Sequence, residues 1–189
     1  MVRKIHYNSP VILSYTFLSL LILLLGFATD NATTRALFSV YASPLNDPLF
    51  YFRLLGHVFG HASVEHYFNN FLIILLIGPA LEERYGSRRL VIAMVATALI
   101  TGLLNVIFFS TALLGASGIV FMFVILSSFV SLQRGRIPMT FIMVVFIFLG
   151  QEIIAGLFTT TNISHLTHIV GGICGALMGF FINFPLGEK

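Results

Sequence analysis

The chain has 189 residues, of which 58% are hydrophobic and only 9% are charged, and its mean hydropathy is +0.99. A soluble domain carries about 25% charged residues, so this composition excludes a water-exposed globular surface and predicts an all-α integral membrane protein. The formal net charge of +3 does not indicate nucleic-acid binding, because the basic residues lie in short loops between apolar runs, and the single cysteine excludes an internal disulfide framework.

The first predicted span runs from Val11 to Ala28, after the basic residues Arg3 and Lys4. At about 1.5 Å per residue it can just cross ~30 Å of hydrocarbon. Because no small-residue cleavage site follows it, we expect a retained helix and not a signal peptide. The connection from Thr29 to Ser63 is long and partly apolar, which predicts short helices lying in the membrane interface.

Five further apolar runs follow in one domain that covers residues 1–189 without an internal repeat. The predicted spans lie at about residues 64–81, 90–109, 114–132, 139–158 and 166–184. A charged turn is expected over residues 82–89, and the fold class is a bundle of six transmembrane helices.

The basic residues predict the orientation. Cytoplasmic loops are enriched in Lys and Arg, and with six spans and an inner N-terminus only Arg35 and Arg53 fall outside. The inner side holds the remaining eight: Arg3, Lys4, Arg84, Arg88, Arg89, Arg134, Arg136 and Lys189. We therefore expect a multi-pass protein of the cell membrane with both termini in the cytoplasm.

The motif that organises the chemistry is Gly115-Ala116-Ser117-Gly118, at the start of the fourth span. A serine among small residues allows helices to pack closely. It can also act as a nucleophile, since glycines leave room for a carbonyl to reach its hydroxyl and the nearby backbone N–H groups. The motif alone does not choose between these two roles.

Three more polar residues are predicted at the depth of Ser117. His66 and Asn70 begin the second span and His168 begins the sixth, and both spans enter from the outer side. His66 and Asn70 share a helix face and are either hydrogen-bonding links between helices or donors to an oxyanion. His168 is followed by a stripe of glycines, at Gly171, Gly175 and Gly179, that allows close approach of a neighbouring helix. If that neighbour is the serine helix, His168 can act as the general base of Ser117.

These motifs resemble the three signature motifs of the rhomboid intramembrane serine proteases, in family order and on the second, fourth and sixth spans. They are His61-x-x-x-x-His66-x-x-x-Asn70, Gly115-Ala116-Ser117-Gly118 and His168-x-x-Gly171-x-x-x-Gly175. The resemblance implies a catalytic dyad of Ser117 and His168 without an acid partner. It also implies an oxyanion site of His66, Asn70 and the Ser117 backbone N–H, and a membrane-embedded first loop between residues 29 and 63.

The resemblance extends to structural positions. Phe52-Arg53 falls where the family usually has Trp-Arg, so the tryptophan is absent. Glu82-x-x-x-Gly86 matches the charged turn after the second span. Phe121 falls where the family often has Tyr, so a ring remains to pack on His168 but its hydroxyl is missing.

Other functions remain as alternatives. A metal site is weighed because five of the six histidines lie near the predicted site, but there is no His-Glu-x-x-His motif, and no cofactor is expected. His57 and His61 are interpreted as loop-stabilising hydrogen-bonders, and His165 as lining the cavity mouth. Glu152, in the fifth span, is too isolated for a transporter pathway and is interpreted as hydrogen-bonded near the interface. The alternative, implied by the resemblance, is that it tunes the opening of the fifth helix through which substrate enters.

The sequence therefore predicts a serine endopeptidase that cleaves transmembrane segments of membrane proteins near the outer face of the bilayer. The alternative is an inactive rhomboid-like protein that binds or routes membrane clients. Such proteins characteristically lack the serine or the histidine, whereas this chain has both Ser117 and His168. The expected partners are transmembrane substrates and the lipid bilayer, and neither the substrate's identity nor the oligomeric state follows from the sequence.

Overall fold

The structure is a computed structural model that describes residues 7–129, 139, 142–147, 150, 154 and 163–183. Within these residues the chain is helical apart from its connections and an isolated β-bridge between Val40 and Leu113. The helices are α1 Pro10–Ala28, α2 Ala32–Leu37, α3 Pro48–Gly56, α4 Val64–Tyr85, α5 Ser87–Phe108, α6 Ser117–Ser128 and α7 Ile163–Asn183, with a 3-10 turn at His57–Phe59.

Three helices in the described part of the chain, α1, α4 and α5, are long and apolar enough to cross a membrane. Helix α6 and the apolar part of α7, His165–Phe181, are shorter. The chain is therefore a helical membrane protein, and the count of six spans stays a prediction. The fifth predicted span, at 139–158, lies mostly outside the described residues, although 142–147 are helical, and Glu152 also lies outside them.

The junction of α4 and α5 differs from the predicted charged turn. Helix α4 continues to Tyr85, and only Gly86, with φ of +81°, separates it from α5. The helix extends because the Glu82 carboxylate is satisfied: it accepts the backbone N–H groups of Val11 and Ile12, each at 3.1 Å, and the Ser87 hydroxyl at 2.7 Å. These bonds place the start of α1 and the α4–α5 junction at one end of the bundle.

Helix α6 begins at Ser117, three residues later than predicted, because the preceding backbone bonds to the first loop. Leu113 and Val40 exchange two backbone hydrogen bonds of 2.9 Å, and the Gly115 N–H donates to the His57 carbonyl at 2.9 Å. Residues committed to those partners cannot make helical bonds. The first loop and the start of α6 therefore lie together, at the opposite end from the α4–α5 junction.

The first loop contains α2, α3 and the 3-10 turn, which agrees with the short helices predicted there. Its buried Arg53 donates to the Ala36 carbonyl at 3.2 Å, the Tyr41 hydroxyl at 3.0 Å and the Ser43 hydroxyl at 3.1 Å, and it forms an ion pair with Asp47. The guanidinium also lies over the Tyr41 ring. Arg53 thus organises the loop although Phe52 replaces the family's tryptophan, while embedding of the loop in the membrane stays a prediction.

Helices α6 and α7 form the most extensive helix pair in the described residues. A Cβ added to Gly171 would overlap the Gly118 carbonyl, and one added to Gly175 would overlap the Met122 carbonyl. A Cβ on Gly179 would meet the Phe129 ring at 2.5 Å. Gly171 and Gly175 therefore pack against the backbone of α6, the serine helix, and Gly179 packs against the Phe129 side chain at the end of that helix.

Candidate active site

Ser117 is the first residue of α6 and is half-buried. The first N–H groups of a helix have no partner inside it, so they are free to bind an acceptor from outside. The two N–H groups before Ser117 are already engaged, that of Gly115 by the His57 carbonyl and that of Ala116 by the His61 ring. Among the described residues the Ser117 N–H has no acceptor, and it carries the positive end of the helix dipole.

His61 is fully buried in the first loop, and its hydrogen bonds assign its tautomer. Its Nδ1 lies 3.2 Å from the Phe59 carbonyl, which can only accept, so Nδ1 carries the proton. Nε2 is therefore the acceptor of the Ala116 N–H at 3.4 Å. Burial, and then the nearby His66, lowers the pKa of His61 to about 3, so the ring is neutral and keeps this acceptor at physiological pH.

His57 supports the same segment from the 3-10 turn. Its carbonyl accepts the Gly115 N–H, while its Nδ1 lies 3.3 Å from the Arg53 carbonyl and its Nε2 lies 3.4 Å from the Thr101 hydroxyl on α5. Burial lowers the pKa of His57 to about 4. The interpretation of both histidines as loop-stabilising hydrogen-bonders is confirmed by these contacts.

His66 and Asn70 lie in the first two turns of α4, whose N-cap is Ser63. The Nε2 edge of His66 faces Gly115: a Cβ added there would lie 2.7 Å from that nitrogen. Gly115 has φ of +123°, so both its conformation and the imidazole require glycine. Asn70 is 7% exposed, and its amide nitrogen is buried without a hydrogen-bond partner within the described residues. A buried unpaired donor is costly, which is consistent with a ligand oxygen as its partner.

His168 lies on the face of α7 that packs against α6. Its ring stacks on Phe121, with centroids 4.2 Å apart and planes at 7°, and Phe121 is one turn beyond Ser117 on α6. His168 is also within electrostatic range of His66. The structure therefore brings His168 to the serine helix and to α4, which are the two helices that carry the other predicted site residues.

Two contributions to the site could not be found in the sequence. Val40 pairs with Leu113, and Asn105 on α5 donates to the carbonyls of Val40 at 3.2 Å and Thr111 at 3.0 Å. Val40 contributes through its backbone, which leaves no mark on residue type, and Asn105 contributes a side-chain amide but belongs to none of the motifs. His165 lies half-buried one turn before His168. Among the described residues no three His, Cys, Asp or Glu side chains form a group that could hold a metal ion.

Comparison with known proteins gives two findings. A family model described as the Rhomboid domain matches residues 49–183. The chain is 33% identical over 142 residues to the Rhomboid protease GlpG of Salmonella choleraesuis (strain SC-B67), covering 71% of this chain and 50% of that protein. The GlpG proteins of Salmonella newport (strain SL254) and Salmonella typhi give the same identity and coverage. The chain thus spans about half the length of the curated relatives that it matches.

Proposed function

Because the chain belongs to the rhomboid family, we propose that it is an intramembrane serine endopeptidase. Its substrates are transmembrane segments of other membrane proteins, cleaved near the outer face of the bilayer by Ser117 and His168. The proposal includes the six-span topology with both termini in the cytoplasm. No cofactor takes part in this chemistry.

The observation that carries the proposal is the junction of α6 and α7 at Gly118 and Gly171. It places the His168 ring on Phe121, which shares a helix face with Ser117. This contact supports a role for His168 as the general base of Ser117, which lies one turn before Phe121 at the N-terminus of the same helix.

The reaction follows from these groups. The Ser117 hydroxyl attacks the substrate carbonyl while His168 takes its proton. The resulting oxyanion accepts hydrogen bonds from the Ser117 N–H, the His66 imidazole and the Asn70 amide. His168 returns the proton to the leaving amine as the peptide bond breaks. Water, deprotonated by His168, then hydrolyses the acyl-enzyme and releases Ser117.

The amide nitrogen of Asn70, which is buried without a hydrogen-bond partner among the described residues, supports the oxyanion role in particular. A donor used only to link helices would have a partner in the resting protein, as buried amides usually do. An oxyanion at Ser117 would supply that partner only while the tetrahedral intermediate exists, which is how transition-state stabilisation differs from ground-state binding.

Covalent labelling tests the proposal most directly. A fluorophosphonate reacts with an activated serine, so the purified protein should be labelled and Ser117→Ala should not. Ser110→Ala is a suitable control, because Ser110 lies on the same connection but outside the motif. Cleavage of a model transmembrane substrate should be lost in Ser117→Ala and in His168→Ala, and the double variant should be no worse than either.

The inactive alternative predicts the reverse. A protein that only binds membrane clients would retain its clients but would neither react with fluorophosphonate nor cleave them. Wild-type labelling in Ser117→Ala would likewise end the assignment of the nucleophile. Circular dichroism on the same samples separates loss of chemistry from loss of fold.

A further inference from the structure

An apolar cleft of about 510 Å³ lies between α1 and α5, and Ser117 is not among its lining residues. Its walls include Val11 and Leu18 on α1 and Val91 and Val95 on α5, and the 3-10 turn closes one end at Phe59. The lining contains few polar groups, and these are engaged. The Tyr15 hydroxyl donates to the Val58 carbonyl at 2.8 Å, and the Ser14 hydroxyl shares a hydrogen bond with Tyr7 at 3.3 Å. The occupant of this cleft must therefore be hydrocarbon.

The cleft opens sideways from two helices that can each cross a membrane. Leu18, Val91 and Val95 are 46%, 42% and 41% exposed, so the walls are reached from the bundle surface. Along α5 the lining from Val91 to Ala98 extends about 10 Å at 1.5 Å per residue. A single acyl chain, which is thinner than a helix of about 10 Å diameter, fits a cleft of this length.

Arg88 lies on α5 just before the residues of that helix that line the cleft. It precedes Val91 by three residues and Val95 by seven, so it lies on nearly the same face of α5 as the lining. Arg88 is exposed and forms no ion pair among the described residues. The acidic neighbour Glu82 is 4% exposed. Its carboxylate accepts hydrogen bonds from Val11, Ile12 and Ser87, so its charge faces the protein interior. Glu83 is exposed on α4, not on α5.

We propose that this cleft binds one anionic phospholipid, with an acyl chain between α1 and α5 and its phosphate at Arg88. An apolar slot next to a guanidinium that has no ion-pair partner among the described residues is complementary to a molecule with a hydrocarbon chain and an anionic head group. The proposal does not depend on proteolysis, because Ser117, His168, His66 and Asn70 do not line the cleft.

Native mass spectrometry of the full chain, taken from mixed micelles of dioleoyl phosphatidylglycerol and dioleoyl phosphatidylcholine, measures which lipid is retained. The wild type should retain phosphatidylglycerol preferentially. Arg88→Gln should reduce that preference about fivefold, the contribution of one basic residue near anionic lipid. Arg89→Gln makes the same charge change on the opposite face of α5 and should leave the preference unchanged.

Filling the cleft tests where the acyl chain lies. Val95→Phe should abolish retention, whereas Ile92→Phe, at an exposed site outside the lining, should not. If Val95→Phe unfolds the protein by circular dichroism, Ser14→Leu fills the same cleft from α1. Equal retention of the two lipids by the wild type, equal effects of Arg88→Gln and Arg89→Gln, or full retention in a folded cleft-filled variant would each overturn the proposal.

Discussion

Ser117 is held from two sides by different kinds of contact. On the helix side, α6 meets α7 through glycines, with the Gly171 and Gly175 positions directly against the carbonyls of Gly118 and Met122. On the loop side, the first loop holds the segment before Ser117 by hydrogen bonds such as that from the Ala116 N–H to His61.

These two kinds of contact, glycine packing and hydrogen bonds, should respond differently to mutation. An added methyl group on the helix side meets backbone, which cannot rotate away, so the helices must separate. Each hydrogen bond on the loop side contributes only about 1 kcal/mol net, and neighbouring bonds remain when one is lost. We therefore expect a single substitution on the helix side to remove most of the activity, and a single substitution on the loop side to reduce activity and stability only in part.

Gly171→Ala should have the largest effect. The added Cβ overlaps the Gly118 carbonyl and pushes His168 away from α6. A displacement of about 1 Å at a catalytic group can cost about 100-fold in rate, so turnover of a model transmembrane substrate should fall at least that far. Overpacking should also lower the free energy of unfolding by about 1–3 kcal/mol.

Gly172→Ala is the matched control, since it adds the same methyl group one residue along. The nearest atom to that Cβ, outside its own helix backbone, is a side-chain carbon of Ile125 at 3.5 Å, an ordinary contact. Turnover and thermal stability should stay close to wild type. Equal losses of turnover and stability in the two variants would show that the close contact between Gly171 and Gly118 does not cause the loss.

The same two sides differ in how far the sequence predicted them. The glycine stripe of α7 was predictable because spacing along one helix fixes which residues share a face, and the motifs identified Ser117, His66, Asn70 and His168 as candidates. The contacts on the loop side were harder to predict from the sequence. The bond between His61 and Ala116 joins residues far apart in the chain, and a backbone N–H has no sequence signature. The late start of α6 follows from the backbone bonds of Leu113 with Val40 and of Gly115 with His57, which have no sequence signature either.

His61→Ala should reduce turnover about tenfold. The Ala116 N–H loses its acceptor, and an unsatisfied buried donor costs about 1–3 kcal/mol, which loosens the backbone before Ser117. His61→Gln, which keeps an acceptor, should recover part of the loss. The rate of fluorophosphonate labelling should follow turnover in both variants. Wild-type turnover in His61→Ala would show that this bond does not position Ser117.

The loop side should also be sensitive to acid. The pKa values of His57 and His61, about 4 and about 3, lie below the ordinary value of about 6.5 that they regain on unfolding. The unfolded chain thus binds more protons, so stability is complete above about pH 6.5 and falls as the pH decreases. Each histidine contributes at most about 1.4 kcal/mol per pH unit. Thermal unfolding midpoints between pH 7.5 and 4.5 measure this, and His61→Gln should flatten the dependence.

Asn105→Ala should have the smallest effect, because it removes the outermost support of the loop side. Asn105 is buried and donates to the Val40 and Thr111 carbonyls, but the Val40 carbonyl still accepts the Leu113 N–H at 2.9 Å after the amide is gone. We expect a loss of about 1 kcal/mol in stability and no more than about fivefold in turnover. Asn105→Leu keeps a similar side-chain volume but removes the donor, so a similar result there assigns the effect to the hydrogen bonds and not to the cavity. If Asn105→Ala instead lost as much turnover and stability as Gly171→Ala, the loop side would tolerate substitution no better than the helix side. The expected difference between the two sides would then be wrong.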